Sequence, residues 1–196
     1  MKINPIEILG AWRLGWVLDV HTTSSEFLGY DQNGHPLFDT IRSPLGELLY
    51  QLKYRGQQNA VQVAEVLAEF FTDKSNVLSR IDMIVPMPAS TIRNVQPVAE
   101  IAKALGGKLK KQVLNDAIKK IHNTPELKSV QDPEERRELL DRAFQADADQ
   151  VKGKGVLLLD DLYRSGATAN AVTLALVAAG ALRVYFLAAT RTRSNV

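Results

Sequence analysis

Large apolar residues recur at every second position from Trp12 through Leu14, Trp16 and Leu18 to Val20, the period of a half-buried strand. Asn33-Gly34 is a turn signal. It leads into a short strand over about residues 36–41, so the first forty residues read as an antiparallel unit. At Ser43 the period changes. Ser43 suits a helix cap and Pro44 the first helical position. Leu45, Leu48, Leu49 and Leu52 then line one face, and Gly56 closes the helix after Lys53-Tyr54-Arg55. Lys53 and Arg55 read as a solvated helix end. A second helix runs from about Asn59 to Phe71 with Val63, Val66, Leu67 and Phe70 inward.

A short apolar run over residues 81–85 is broken by Pro86-Met87-Pro88. A helix over residues 97–105, stopped by Gly106-Gly107, and a strand near residues 108–114 are expected next. Residues 119–131 are polar, contain Pro125 and read as a loop. Asp132-Pro133-Glu134-Glu135 carries the signature of a helix start, with the helix reaching about Phe144. Residues 156–159 are continuously apolar, as in a strand buried on both faces. The helix of about residues 167–179 is apolar nearly all round, which predicts burial, and Gly180 ends it. Residues 184–189 form the next buried strand. Strand, buried helix and strand in this order predict a parallel sheet. The expected architecture is an α/β core with a parallel sheet over residues 43–196 and a small antiparallel N-terminal appendage over residues 1–42.

Composition narrows the function. The net charge of +2 and the mixing of both signs along the chain do not indicate a nucleic-acid binder. No cysteine is present, which excludes disulfides and thiolate metal sites. His21, His35 and His122 lie far apart, and each reads as a satisfied surface or core histidine. The first sixteen residues show no signal-peptide pattern. The most apolar stretch, residues 171–182, is shorter than the roughly 20 residues that span a bilayer. A soluble cytoplasmic protein is expected.

The chemistry concentrates in residues 156–168, Val-Leu-Leu-Leu-Asp160-Asp161-Leu-Tyr-Arg164-Ser165-Gly166-Ala167-Thr168. In open α/β sheets ligands bind beyond the carboxyl ends of the strands. Neighbouring side chains on a strand point to opposite faces, so both acids reach one ligand only where the strand becomes a turn. The apolar run ends at Leu159, which places the expected turn there. Two carboxylates suit the hydroxyls of a ribose. Arg164, Ser165, Gly166, Ala167 and Thr168 lead into a helix, whose free N–H groups and positive dipole end suit a phosphate. An Asx-turn followed by a helix cap is the alternative. No G-x-x-x-x-G-K-[ST] motif is present, and Gly153-Lys154-Gly155 precedes its strand.

These thirteen residues resemble the motif with which type I phosphoribosyltransferases bind 5-phosphoribosyl-1-pyrophosphate (PRPP). The wider chain resembles the ComF-like family of that superfamily. Leu52-Lys53-Tyr54-Arg55-Gly56, Val85-Pro86-Met87-Pro88, the Ala-Gly-Ala before the last strand and that strand itself carry the likeness. The resemblance implies a Rossmann-like phosphoribosyltransferase core that binds PRPP with Mg2+. It assigns the ribose hydroxyls to Asp160 and Asp161, and the 5-phosphate to Arg164, Ser165, Gly166, Ala167 and Thr168. It makes Met87, Pro88, Ala89 and Ser90 a pyrophosphate turn, with Arg93 either adding charge or lying solvated at a helix start. Mg2+ is held mainly through PRPP. Residues 119–131 correspond to a loop that closes over the ligand.

There are departures from the family pattern. ComF-like proteins often carry a four-cysteine zinc element, whose place here is expected to be filled by packing around Trp12 and Trp16. Their basic segment after the pyrophosphate turn is reduced to Ser90-Thr-Ile-Arg-Asn-Val-Gln96. Arg164 stands where the purine-salvage enzymes hold an acid. Three functions compete. One is phosphoribosyl transfer to an unknown acceptor with release of pyrophosphate. Another is PRPP or nucleotide binding without transfer, in DNA uptake (competence). The third, a receiver-like acidic pocket binding Mg2+, is disfavoured by the anion-binding loop that follows the acids. The oligomeric state is open, a homodimer included.

Overall fold

The structure is a computed structural model that describes residues 1–55, 59–89, 96–121 and 143–193. The chain opens with β1 (Ile6–Glu7), β2 (Leu14–Val20), β3 (Thr22–Tyr30) and β4 (Pro36–Arg42). Helices α1 (Pro44–Arg55), α2 (Asn59–Phe70) and α3 (Ser75–Leu78) lead to β5 (Met83–Pro86), α4 (Pro97–Leu109) and β6 (Gln112–Val113). The remaining elements are β7 (Ile118–Lys120), β8 (Phe144–Ala146), α5 (Ala148–Val151), β9 (Gly155–Tyr163), α6 (Ala167–Ala178) and β10 (Arg183–Arg191).

Six strands form one sheet in the order β1-β2-β10-β9-β5-β6. All neighbours in it are parallel except the edge strand β1, which runs antiparallel to β2. The protein is therefore α/β with a mainly parallel central sheet, as the order of apolar runs predicts. Helices cover both faces. On one face Leu45, Leu49 and Leu52 of α1, Val63 and Leu67 of α2, and Ile101 and Leu105 of α4 pack on Leu157, Leu159, Tyr185 and Leu187. On the other, Val172 and Leu176 of α6 and Val151 of α5 pack on Val156, Leu158, Phe186 and Ala188. Alternate residues of β9 and β10 thus feed two different cores, and this parity fixes where the acids point.

Trp12 and Trp16 are both buried, on opposite faces. Trp12 stacks on Phe186 with centroids 4.6 Å apart and donates its indole N–H to the Ile8 carbonyl at 3.0 Å. Trp16 meets Phe70 edge-on. Ser43 caps α1 as expected, accepting from the Gly46 N–H at 3.0 Å.

Four expectations change. The N-terminal strands are antiparallel in two pairs, β1 with β2 and β3 with β4, but β2 also lies parallel to β10. Gly15 and Val17 are buried as well as Trp16 and Leu18, so β2 has a core on both sides and belongs in the central sheet. Helix α4 passes through Gly106-Gly107 to Leu109 and stops at left-handed Lys110. Gly106 serves there as a close approach to Val113, and the strand that follows shrinks to two residues. Lys119 and Lys120 lie in β7, paired with β8, which contains Phe144. Ile118 and Phe144 bury apolar side chains that favour the ladder over the expected loop and helix end. The rest of both expected elements lies outside the described residues. Helix α6 is buried on one face only, with Leu174 and Val177 about half exposed. Among the described residues no helix is long and apolar enough to cross a membrane.

Candidate functional site

Unequal strand lengths build the site. β5 ends at Pro86, opposite Leu159, and the Met87 N–H closes that ladder on the Leu159 carbonyl at 2.8 Å. β9 continues without it. Its pairing with β10 runs from Asp160 opposite Ala188 to Tyr163 opposite Arg191. The turn expected after Leu159 is therefore corrected: polarity changes there, but the ladder with β10 carries the strand four residues further. Asp160 and Asp161 accordingly point to opposite faces. Asp160 shares the side of Leu158 and α6, and Asp161 that of Leu159 and α1.

Asp160 is half-buried beside the free edge of β9, where its Oδ1 accepts the Asp161 N–H at 2.8 Å. Burial, and then the charge of Asp161, push its carboxyl up to about 7. Backbone donors at Asp161 and Leu162 and the Lys53 ammonium work in the opposite direction without cancelling this.

Asp161 is 9% exposed and ion-paired: Lys53 Nζ lies 2.6 Å from its Oδ2. Lys53 thus turns inward to the acids, and the expected solvated helix end is corrected for this residue. Its place in the Leu52–Gly56 segment was the only available signal, since a lone lysine in a helix's last turn is ordinary. The Asp161 carbonyl accepts the Thr190 hydroxyl at 3.0 Å, and Thr190 Oγ1 meets His21 Nδ1 at 3.1 Å. Burial, followed by the Lys53 charge, lowers the His21 pKa from its ordinary 6.5. Neither His21 nor Thr190 stands out in the sequence, because the link among them crosses three strands.

The loop from β9 to α6 leaves Arg164, Ser165, Ala167 and Thr168 exposed and Gly166 buried. Gly166 has φ +75°, and a Cβ there would come within 2.6 Å of the Tyr163 hydroxyl, so glycine is required on both counts. No side chain caps α6. The Ser165 hydroxyl reaches the Ala167 N–H only at 3.5 Å, so the start of a twelve-residue helix opens onto solvent. Asn170, which sequence reasoning passed over, braces this start. Its amide donates to the Gly166 carbonyl at 3.0 Å and its Oδ1 accepts the Ala11 N–H at 2.6 Å.

In the candidate pyrophosphate turn Met87 is a core residue, its N–H already engaged with Leu159. Pro88 is half-buried and Ala89 exposed. Ser90 and Arg93 lie outside the described residues, as does Gly56.

Fold and site together define an α/β protein whose parallel sheet presents two acids and an open helix start at its carboxyl edge. No protein family and no curated protein matches this chain. Among solved structures it is similar to an allosteric regulatory enzyme of purine biosynthesis, at 20% identity and a TM-score of 0.48. That overlap covers 81% of this chain and 34% of that one, so this chain spans well under half of that protein.

Two outcomes follow from the electrostatics. The folded Asp160 carboxyl titrates near 7 against an ordinary 3.8, so the folded state binds its proton more tightly than the unfolded state. Its contribution to stability is then largest below about pH 4, falls as pH rises to about 7 and is level above. Asp160→Asn should flatten that fall and raise stability at neutral pH, by up to about 4 kcal/mol. Urea midpoints of both proteins across this range check it. Lys53→Met leaves a buried carboxylate without its cation. It should cost about 1.5–3 kcal/mol at neutral pH, with little further loss when Asp161→Asn is added, as a double-mutant cycle in urea would show.

Proposed function

We propose that this protein is phosphoribosyltransferase-like: it binds PRPP with Mg2+ and transfers the phosphoribosyl group to an acceptor, releasing pyrophosphate. One observation carries the reading. A buried parallel strand delivers Asp160 and Asp161 at the carboxyl edge of the sheet, and five residues later the same chain forms the uncapped start of α6. A carboxylate offers about four lone-pair sites. Asp160 keeps acceptor capacity beyond its backbone contact, and Asp161 keeps Oδ1 while Lys53 takes Oδ2. In this reading the sugar hydroxyls donate to the oxygens of Asp160, while Asp161, turned to the opposite face, is held by Lys53. The 5-phosphate sits on the N–H groups of Gly166, Ala167 and Thr168, with the Ser165 and Thr168 hydroxyls and the Arg164 charge around it.

The described residues group no three acidic or histidine side chains fit to hold a metal. In this reading Mg2+ belongs with the pyrophosphate oxygens, which suit a hard cation. Bound there, it supplies charge neutralisation of the leaving group. The protein contributes orientation and a polar, partly dry edge.

A second reading, PRPP or nucleotide binding without transfer and a role in DNA uptake, draws support from the pyrophosphate side. Met87 gives its N–H and its side chain to the core and Pro88 has no N–H, so neither of these two residues offers a backbone donor to a leaving group.

Calorimetry with Mg2+-PRPP tests the binding both readings share, and pyrophosphate release separates them. Asp160→Asn should weaken PRPP about ten- to hundredfold, the equivalent of about 1.5–3 kcal/mol for hydrogen bonds to a charged group. Unchanged affinity in the folded variant would remove Asp160 from the site. Arginine cannot exchange a proton near working pH. With Arg164 in the phosphate loop, no turnover is expected with hypoxanthine, guanine or xanthine. Nucleotide formation at about 1–1000 per second with any of them would contradict this.

A further inference from the structure

His21 stands on the same carboxyl edge as the acids, one residue past β2. Its N–H donates to the Arg191 carbonyl at 2.8 Å and its carbonyl accepts the Ser43 N–H at 3.2 Å. The first turn of α1 lies so close that a Cβ on Gly46 would collide with the His21 carbonyl oxygen. The ring is held through Nδ1, which meets the Thr190 hydroxyl at 3.1 Å. The Thr190 hydroxyl has a single hydrogen, which it gives to the Asp161 carbonyl. Toward His21 it can therefore only accept, so Nδ1 carries the ring proton and the neutral imidazole keeps its lone pair on Nε2. Among the described residues Nε2 has no hydrogen-bond partner.

The charged groups around the ring come from three elements: Lys53 and Glu47 of α1, Arg42 of β4 and Asp161 of β9. Burial, Lys53 and Arg42 favour the neutral ring, and Asp161 and Glu47 only partly oppose them. A histidine with a set tautomer, a free lone pair and no positive charge at neutral pH is equipped to take a proton. An acceptor that brings an N–H or O–H into the reaction has to give up that proton, and the phosphate loop has no group to take it. Arg164 cannot serve, and the hydroxyls of Ser165 and Thr168 are not proton acceptors at this pH.

We propose that His21 Nε2 takes the proton of the incoming nucleophile on the α1 face of the sheet, so that the acceptor is a molecule presenting an N–H or O–H donor there. This rests on the phosphoribosyl-transfer reading above. In the step, the acceptor's lone pair forms the bond to C1 of the sugar. The bond from C1 to the pyrophosphate oxygen breaks, its electron pair leaving with pyrophosphate, and the acceptor's proton passes to Nε2. Thr190 and the Asp161 carbonyl act through His21 and are positioning groups.

Water can stand in for the unknown acceptor. The experiment follows pyrophosphate release from Mg2+-PRPP between about pH 5 and 9, alongside calorimetric PRPP binding and 15N spectra of the His21 ring. Wild type should release pyrophosphate with an acid limb below 6.5, the ordinary histidine value, and show the Nδ1–H tautomer. In His21→Asn the side-chain amide still donates to Thr190 but Nε2 is gone. This variant should bind PRPP within about threefold of wild type, lose about a hundredfold or more in release, and lose the limb. Thr190→Val should mix the tautomers and shift the limb. Wild-type release in His21→Asn overturns the inference. So does a limb that vanishes in Asp160→Asn yet persists in His21→Asn, since Asp160 is then the base. A dominant Nε2–H tautomer, or PRPP binding with no release at any pH, overturns it as well while leaving PRPP recognition intact. Failure to bind PRPP at all overturns instead the reading on which it rests.

Discussion

Among the described residues β9 has a hydrogen-bonding neighbour strand on one side only from Asp160 onward, and most of the site follows from that. A strand inside a parallel sheet satisfies its backbone on both flanks. Once β5 stops at Pro86, the flank facing it needs other partners, and the Asp160 carboxylate supplies one by turning back to the Asp161 N–H. The acid is thereby drawn against the sheet edge, out of bulk water, next to a second acid. Loss of solvation raises its proton affinity, and the neighbouring charge raises it further.

The two acids meet this situation differently because they occupy different faces. Asp161 finds a cation, delivered by the last turn of α1. Asp160 makes no ion pair among the described residues, and its backbone donors and the Lys53 charge do not cancel the effect of burial and of Asp161. A ligand that donates hydrogen bonds to Asp160 would offset that effect, while one that merely fills space would not. The edge is thus biased toward hydroxyl-bearing ligands before any contact geometry is considered.

Local chemistry was legible in the sequence and cross-strand chemistry was not. The Ser43-Pro44 start of α1, the Asn33-Gly34 hairpin and the buried runs of β9 and β10 each announce themselves within a few residues, through capping, turn preference or uninterrupted apolarity. So does the acid-to-helix stretch, whose ends are bonded neighbours along one chain. The length of β9 is different: it depends on how far β10 accompanies it, which no window around Leu159 contains. The same holds for Lys53, Thr190 and His21, which meet only because α1, β10 and β2 converge on one edge. Gly106-Gly107 misled for a related reason. Glycine marks a helix end or a close approach equally well, and only the position of Val113 decides between them.

The hairpin of β3 and β4 leaves the core and returns to it at almost one point, because Ser43 donates directly to His21 across its base. The twenty-one residues between the strands' ends, Thr22 to Arg42, therefore form a closed excursion whose length is invisible to the sheet. Chain can be added, removed or exchanged at its tip without moving His21, α1 or the acids, while Arg42 at its base stays paired with Glu47 of α1. Its outward residues Phe27, Tyr30 and Phe38 can vary under pressures unrelated to folding. The architecture separates an anchored chemical edge from a replaceable graft, and descendants of this chain could diverge in what they meet while retaining what they do.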